Sequence, residues 1–301
     1  MLTSDILVRV CDESVGGDQV AALVYDGRLC DAGSTMRMHL SGVLDRPEVA
    51  NATAGCEVSA RLGQLETGVM FARSVTASPG GVEIDAAAIP PTGLYPVARA
   101  WTKVRIADLV QDLAGMCELS IDGLDKLPSM VCPHFGLDHR QTPGRALAAL
   151  CRVEGLLLRV HDRRADLLTF DELAVAEPAF QAGHDGDASG WSWNPLPSAV
   201  TVTWRGEQVV AQIDIEGRTV ALQPPFDPPS SGVAMRWADA EMDRLRSCEY
   251  SGRVVGVLDL RVWPGVTIEL AGQGRVVVTR ALHNVGAGQS VWTWQRRASG
   301  S

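Results

Sequence analysis

Hydrophobic side chains in this chain follow two different periods, and the change from one to the other constrains the fold more than any motif. Met36, Met38 and Leu40 alternate with Thr35, Arg37 and His39, and Cys56, Val58, Ala60 and Leu62 alternate with Glu57, Ser59 and Arg61. A period of two gives a strand one apolar and one wetted face. Asp26-Gly27, between Ala22-Leu23-Val24-Tyr25 and Arg28-Leu29-Cys30, carries the residue pair of a tight hairpin turn. Residues 1–98 are therefore expected to form a first β domain of barrel or sandwich type, closed by the run Ile89-Pro90-Pro91-Thr92-Gly93.

The period then lengthens. Ile106, Leu109, Val110, Leu113 and Met116 fall at helical spacing, with Asp108, Gln111 and Asp112 opposite. A second helix is marked at both ends: Thr142 to cap it, Pro143 at its first position, Leu147, Leu150 and Cys151 as its stripe, and Gly155 to end it. Residues 156–160 and 167–170 read as a hairpin around His161-Asp162-Arg163-Arg164. Residues 99–175 are expected to be a small α/β module.

From about residue 190 the period of two returns. Val200, Val202 and Trp204 alternate with Thr201 and Thr203, and Glu216-Gly217 is read as turning one strand into the next. A loop dense in turn formers (residues 224–232) precedes one helix, with Ala234, Ala238, Glu241, Leu245 and Cys248 three or four apart. Residues 254–260, 266–270, 276–279 and 291–294 are strand candidates. The expected fold is mainly β with an α+β insert: two β-barrel domains, 1–98 and 176–301, flank the α/β module.

Composition narrows the function. With 46% hydrophobic residues among 301, the chain is that of an ordinary folded protein of about two domains. It has 36 acidic against 27 basic residues, a net charge of −9, and only Lys103 and Lys126 are lysines. A protein gripping nucleic acid by its phosphates wants the opposite sign, although an acidic surface would let DNA pass without sticking. No apolar run reaches the roughly 18 residues of a membrane span, and Met1-Leu2-Thr3-Ser4-Asp5 does not open like a secretory signal, so synthesis in the cytosol is expected. Cys11, Cys30, Cys56, Cys117, Cys132, Cys151 and Cys248 form no CxxC pair and read as free, mostly buried thiols.

Catalytic motifs are absent. Gly186-Asp187-Ala188-Ser189-Gly190 lacks the spacing of a serine-nucleophile elbow, and Gly272-Gln273-Gly274 and Gly286-Ala287-Gly288 each lack the third glycine of a dinucleotide site. Asp31-Ala32-Gly33 resembles an aspartic-protease triplet without a second copy. Cys132, His134 and His139 crowd a loop with Asp138, but three candidate zinc ligands without a fourth read more simply as loop side chains. His184 lies in Gly183-His184-Asp185-Gly186-Asp187, which lacks the ligand run of a calcium loop. His39, on a strand face, and His161, at a hairpin turn, read as solvated. No catalytic, cofactor or metal residue is expected. Trp191 and Trp193, like Trp292 and Trp294, are two apart, so each pair projects from one face of a strand. Core packing between sheets is the plain reading of both pairs; an interface, or stacking on sugars or bases, is the sharper one.

Three stretches, in order, carry a family resemblance. The first is Trp101-Thr102-Lys103-Val104-Arg105-Ile106-Ala107-Asp108-Leu109; the second is the helix of residues 142–155 with the hairpin after it, 156–160 and 167–171. The third is residues 240–245 and then Leu260-Arg261-Val262-Trp263-Pro264-Gly265-Val266-Thr267-Ile268, followed by residues 276–279, His283 and Gly288. Together they resemble the phage tail and baseplate hub proteins of the late control gene D family, kin to the hub portion of VgrG spike proteins. The helix at 142 departs from that pattern by opening Thr-Pro-Gly, and residues 122–141 do not match it.

The resemblance implies a virion tail protein, a homotrimer in which each chain supplies two tube-like β-barrel domains. The resulting pseudo-six-fold ring would join a hexameric tail tube protein to a trimeric spike or tail-tip protein. Its lumen would let DNA and the tape measure protein pass. Two rival readings are a carbohydrate- or receptor-binding β module using the paired tryptophans, and a wall-degrading hydrolase. The hydrolase would need a paired-carboxylate or zinc site, and the chain reaches Ser301 just after the second β block.

Overall fold

The computed structural model describes residues 6–29, 33–183, 190–213, 216–224 and 226–298. The aspartic-protease-like triplet (its first two residues), Cys30, and the His184 and residue 186–189 loop readings lie outside the described residues. The protein is mostly β with a few helices.

The alternating segments near the N-terminus form strands. In Thr35–Leu40, Met36, Met38 and Leu40 are buried while Thr35, Arg37 and His39 face outward; Glu57–Leu62 does the same with Val58, Ala60 and Leu62. Strand Val20–Arg28, however, runs straight through Asp26-Gly27, which is not a turn. The glycine has another reason. Gly27 pairs in register with Ala281, and a Cβ on it would lie 2.8 Å from both Cδ and Cγ of Pro264. Close approach, not chain reversal, excludes a side chain here.

That pairing joins the two ends of the sequence. Strand Gly274–Asn284 runs antiparallel to Val20–Arg28, from Arg280 opposite Arg28 to Asn284 opposite Val24. Both β blocks thereby enter one sheet of 14 strands. Its path runs from strand Gly190–Trp193 through Tyr250–Val257, Gln289–Arg296 and Gly274–Asn284, across the seam to Val20–Arg28, Thr35–Leu40, Gly81–Ala87, Met70–Ser78, Glu57–Leu62 and Ile6–Val10, and ends at Glu13–Gly16.

Between the blocks, helix Ile106–Met116 buries Ile106, Leu109, Val110 and Leu113. Helix Pro143–Val153 starts as its sequence dictates: Thr142 Oγ1 accepts the Arg145 amide at 3.4 Å, Pro143 needs no donor partner, and Gly155 ends it at φ +76°. Strands Leu157–His161 and Arg164–Leu168 form the expected hairpin, with Asp162 and Arg163 both left-handed at its turn.

The reading of Glu216-Gly217 changes. Strands Glu207–Gln212 and Thr219–Leu222 lie on opposite sides of Ala199–Trp204 and do not pair with each other, so Glu216-Gly217 sits in a crossover. The tight turn in this sheet is Arg205-Gly206, with φ +50° and +85°. Helix Ser231–Ser247 covers the sheet with Val233, Ala234, Trp237, Ala238 and Met242. These side chains share one core with Leu109, Leu150 and the first β block. Val254, Ile268, Val278, Trp292 and Trp294 pack into a separate core.

Candidate assembly surfaces

The seam is held by charge as well as by backbone bonds. The Asp26 carboxylate accepts from Arg28 Nε (3.0 Å) and Nη2 (2.7 Å), and from Arg280 Nε (2.8 Å) and Nη2 (2.9 Å). Burial alone would raise its pKa, but the hydrogen bonds and charges of Arg280 and Arg28 outweigh it and hold the carboxyl below the ordinary range. One residue along the same strand pair, the rings of Tyr25 and His283 stack parallel, 6.4 Å apart.

His283 is fully buried. Its Nε2 lies 2.8 Å from the Val262 carbonyl and its Nδ1 2.8 Å from Ser290 Oγ. A carbonyl can only accept, so Nε2 carries the proton and Nδ1 accepts from the serine hydroxyl. Burial, opposed by the Val262 bond and the charge of Asp259, pushes the pKa down and keeps the ring neutral. Gly288, at φ +63°, supplies the turn between strands Gly274–Asn284 and Gln289–Arg296. His283 thus lies at the seam, stacked on Tyr25, and Gly288 shapes the hairpin behind it.

The two tryptophan pairs separate. Trp292 and Trp294 are 5% and 2% exposed, whereas Trp191 and Trp193 are each 56% exposed. All four lie on one sheet, where Trp292 pairs with Val254 and Ala281, and the other three lie on register lines that reach the edge strand. Trp294 pairs with Gly252, which pairs with Trp191; Tyr250 pairs with Trp193. Gly252 has no side chain because the Trp294 indole lies over it, 2.4 Å from where a Cβ would stand. The core face of the sheet thus continues outward to an aromatic edge, where the Trp191 ring lies 6.2 Å from that of Tyr250 and Arg296 sits 4.7 Å over Tyr250. Asn194 pins this edge through Nδ2 to the Cys248 carbonyl (2.8 Å) and Ser251 Oγ (3.0 Å). Identical spacing could not distinguish the pairs, since exposure depends on what covers each strand.

At the other end of the sheet, Arg46 shields strand Glu13–Gly16: Nη1 bonds the Ser14 carbonyl (3.0 Å) and Nη2 the Glu13 carboxylate (2.9 Å). A charged side chain laid against an edge strand discourages unspecific pairing.

The Cys132, His134 and His139 triplet does not converge. Cys132 is buried on strand Val131–Leu137 and its thiol bonds the His134 carbonyl, while His134 and His139 are exposed. Burial pushes the Cys132 thiol up, away from the thiolate that zinc needs. Among the described residues no group of three or more His, Cys, Asp or Glu is arranged to hold a metal. His39 and His161 each bond a neighbouring carbonyl, of Gly80 and Glu66. The six described cysteines form no disulfide with one another; Cys117, Cys132 and Cys151 are buried, and burial pushes Cys117 up to about 12. No helix among the described residues is long and apolar enough to cross a membrane.

No protein-family model matches the sequence, and no curated protein matches it. Solved structures do. A tail protein from Neisseria meningitidis superposes with a TM-score of 0.68 at 11% identity, covering 97% of this chain and 96% of that one. A 43 kDa tail protein of prophage MuSo2 from Shewanella oneidensis gives 0.66 at 10% identity, covering 97% of both chains. The chain has the fold of phage tail proteins. An E. coli component of the type VI secretion system, described as structurally similar to the T4 tail proteins gp27 and gp5, gives 0.63 at 8% identity, with 97% of this chain matched to 77% of that one. The fold resemblance to tail hubs and to VgrG-related proteins that the three sequence stretches implied is thus present in the structure, and the tail-protein fold spans nearly the whole chain.

Sequence reading missed the seam residues Asp26 and Arg280 and the buried carboxylate of Glu154, which accepts from Arg236 Nη2 and Trp237 Nε1, both at 2.9 Å. Asp26 was hidden inside a turn-like dipeptide. Glu154 carried a real signal, an acidic residue at a marked helix end facing an Arg-Trp pair on a later helix, but only three-dimensional placement brings them together.

Proposed function

We propose that this chain is a structural, non-enzymatic hub of a phage-like tail baseplate. Three copies form a ring in which each contributes two tube-like domains, divided near residues 98 and 175. The ring joins a hexameric tail tube protein to a trimeric spike or tip, and its lumen passes DNA and the tape measure protein. The observation that carries this reading is the single sheet spanning both β blocks, with strands Gly190–Trp193 and Glu13–Gly16 at its two ends. A chain with two different sheet ends can contact its neighbour head to tail, and such a contact closes into a ring when the rotation permits. The likeness to tail proteins supports the same reading, and the acidic net charge of −9 suits a passage that must not retain DNA.

The test is native mass by light scattering after size exclusion, alone and with the tube and spike proteins of the same tail. Three times the 32.2 kDa chain mass is expected, and loss of that species on replacing Trp191 and Trp193 by serine. A monomer under both conditions would overturn the ring. The exposed aromatic edge also fits a second reading, a carbohydrate- or receptor-binding module, which predicts quenching of tryptophan fluorescence by a sugar ligand.

A further inference from the structure

An arginine-rich cleft opens on the first β block. One wall is the outward face of strands Thr35–Leu40, Gly81–Ala87 and Met70–Ser78, which presents Arg37, Asp85 and Arg73. Arg73 stands at the register shift between Ala72 and Ser74 that throws its side chain outward. The facing wall is the start of helix Pro143–Val153, with Arg140 and Arg145, and between them lies the apolar step of Leu94, exposed Tyr95 and Pro96. The space encloses about 970 Å³.

The charges are unbalanced. Five arginines line the cleft against one aspartate, in a chain whose net charge is −9. Arg28 is engaged by Asp26 and Arg37 by Asp85 at 2.8 Å. Arg73, Arg140 and Arg145 are exposed and hold no carboxylate among the described residues. Like charges gathered on facing walls repel unless an anion sits between them, and the positive end of the helix dipole adds to the same field.

We propose that this cleft docks an acidic segment of a neighbouring protein, two or three carboxylates within a few residues beside an apolar side chain. The guanidinium fork binds carboxylates bidentately, and the Leu94, Tyr95 and Pro96 step takes the apolar contact. Nucleic acid fits less well. Each phosphate contact contributes a slope of about −0.9 in log K against log salt, and three free arginines supply only about three such contacts against the field of an acidic chain. The inference stands apart from the ring, since it concerns what the cleft binds in whatever assembly the chain forms.

The experiment is fluorescence anisotropy on the full chain with a labelled hexaglutamate peptide ending in leucine, and with a labelled single-stranded oligonucleotide of equal charge, between about 50 and about 200 mM salt. The peptide is expected to bind more tightly than the DNA and to weaken as salt rises. Replacing Arg73, Arg140 and Arg145 together by glutamate should weaken peptide binding about tenfold or more. A glutamine set serves as the second variant if the glutamate set fails to fold. Three results overturn the proposal: no peptide binding, peptide binding that neither variant weakens, or tighter binding of DNA that the variants abolish, which would make the cleft a phosphate site. Native mass measured on the same samples keeps this outcome separate from the ring.

Discussion

Replacing Asp26 by alanine should loosen the junction between the two β blocks, and the structure sets the size of the effect. The side chain is 11% exposed and accepts four hydrogen bonds from two guanidinium groups. Removing one partner of a buried ion pair costs about 3–5 kcal/mol. Here both arginines reach solvent and would rehydrate, which brings the expectation down to about 2 kcal/mol. Urea unfolding followed by tryptophan fluorescence reads this directly, because Trp292 and Trp294 lie in the core on the far side of the seam. A double-mutant cycle with Arg280→Ala should give a coupling of about 1 kcal/mol or more. The pH dependence has a definite sign. The folded pKa of Asp26 lies below its unfolded value, so its contribution is complete above about pH 4 and is lost as the pH falls through the folded pKa. The gap between wild type and Asp26→Asn should therefore be full at neutral pH and close under acid. A coupling within about 0.3 kcal/mol of zero would refute the seam as an energetic junction.

Glu154→Leu should cost about 3 kcal/mol in the same unfolding assay, because it strands the Trp237 indole N–H and the Arg236 guanidinium at the contact between two helices. Gly252→Ala should cost about 1–3 kcal/mol and change the tryptophan emission, since the new methyl would strike the Trp294 ring. His283 has a folded pKa below its unfolded value, so its share of stability is present above about pH 6.5 and declines as the pH falls towards the folded pKa; His283→Gln should show a flatter melting-temperature profile between pH 5 and 7. Trp294→Ala should cost about 3–5 kcal/mol and Trp193→Ala less than about 1, a contrast that equal costs by denaturation would contradict.

What could be read from the sequence was local. Thr142, Pro143 and Gly155 bracket a helix because each acts on backbone atoms within one turn of itself, and no distant contact can change that preference. Met36, Met38 and Leu40 announce a half-buried strand for a similar reason. Asp26-Gly27 shows the opposite case. Its turn preference is real, yet the pairing of Gly27 with Ala281 and the Pro264 ring lying against it decide the backbone. The competing information sits more than two hundred residues away, where no local window reaches.

The candidate surfaces follow the same division. Period two places Trp191 and Trp193 on one face of a strand and does the same for Trp292 and Trp294, and both statements hold. Burial is a property of the neighbouring layer, and the register line from Trp294 through Gly252 to Trp191 passes from a covered strand to an edge strand within two steps. Apolar surface so placed is stable in a monomer only at a cost of about 25 cal/mol for each Å² left in water, which is a reason for an assembly to cover it. The arginine cleft is the polar counterpart: Arg73, Arg140 and Arg145 come from a strand bulge, a loop and a helix start, and only the fold gathers their charges around one cleft. An exposed aromatic edge and a set of gathered arginines select for different chemistry, so the ring and the cleft proposals stand or fall on different partners.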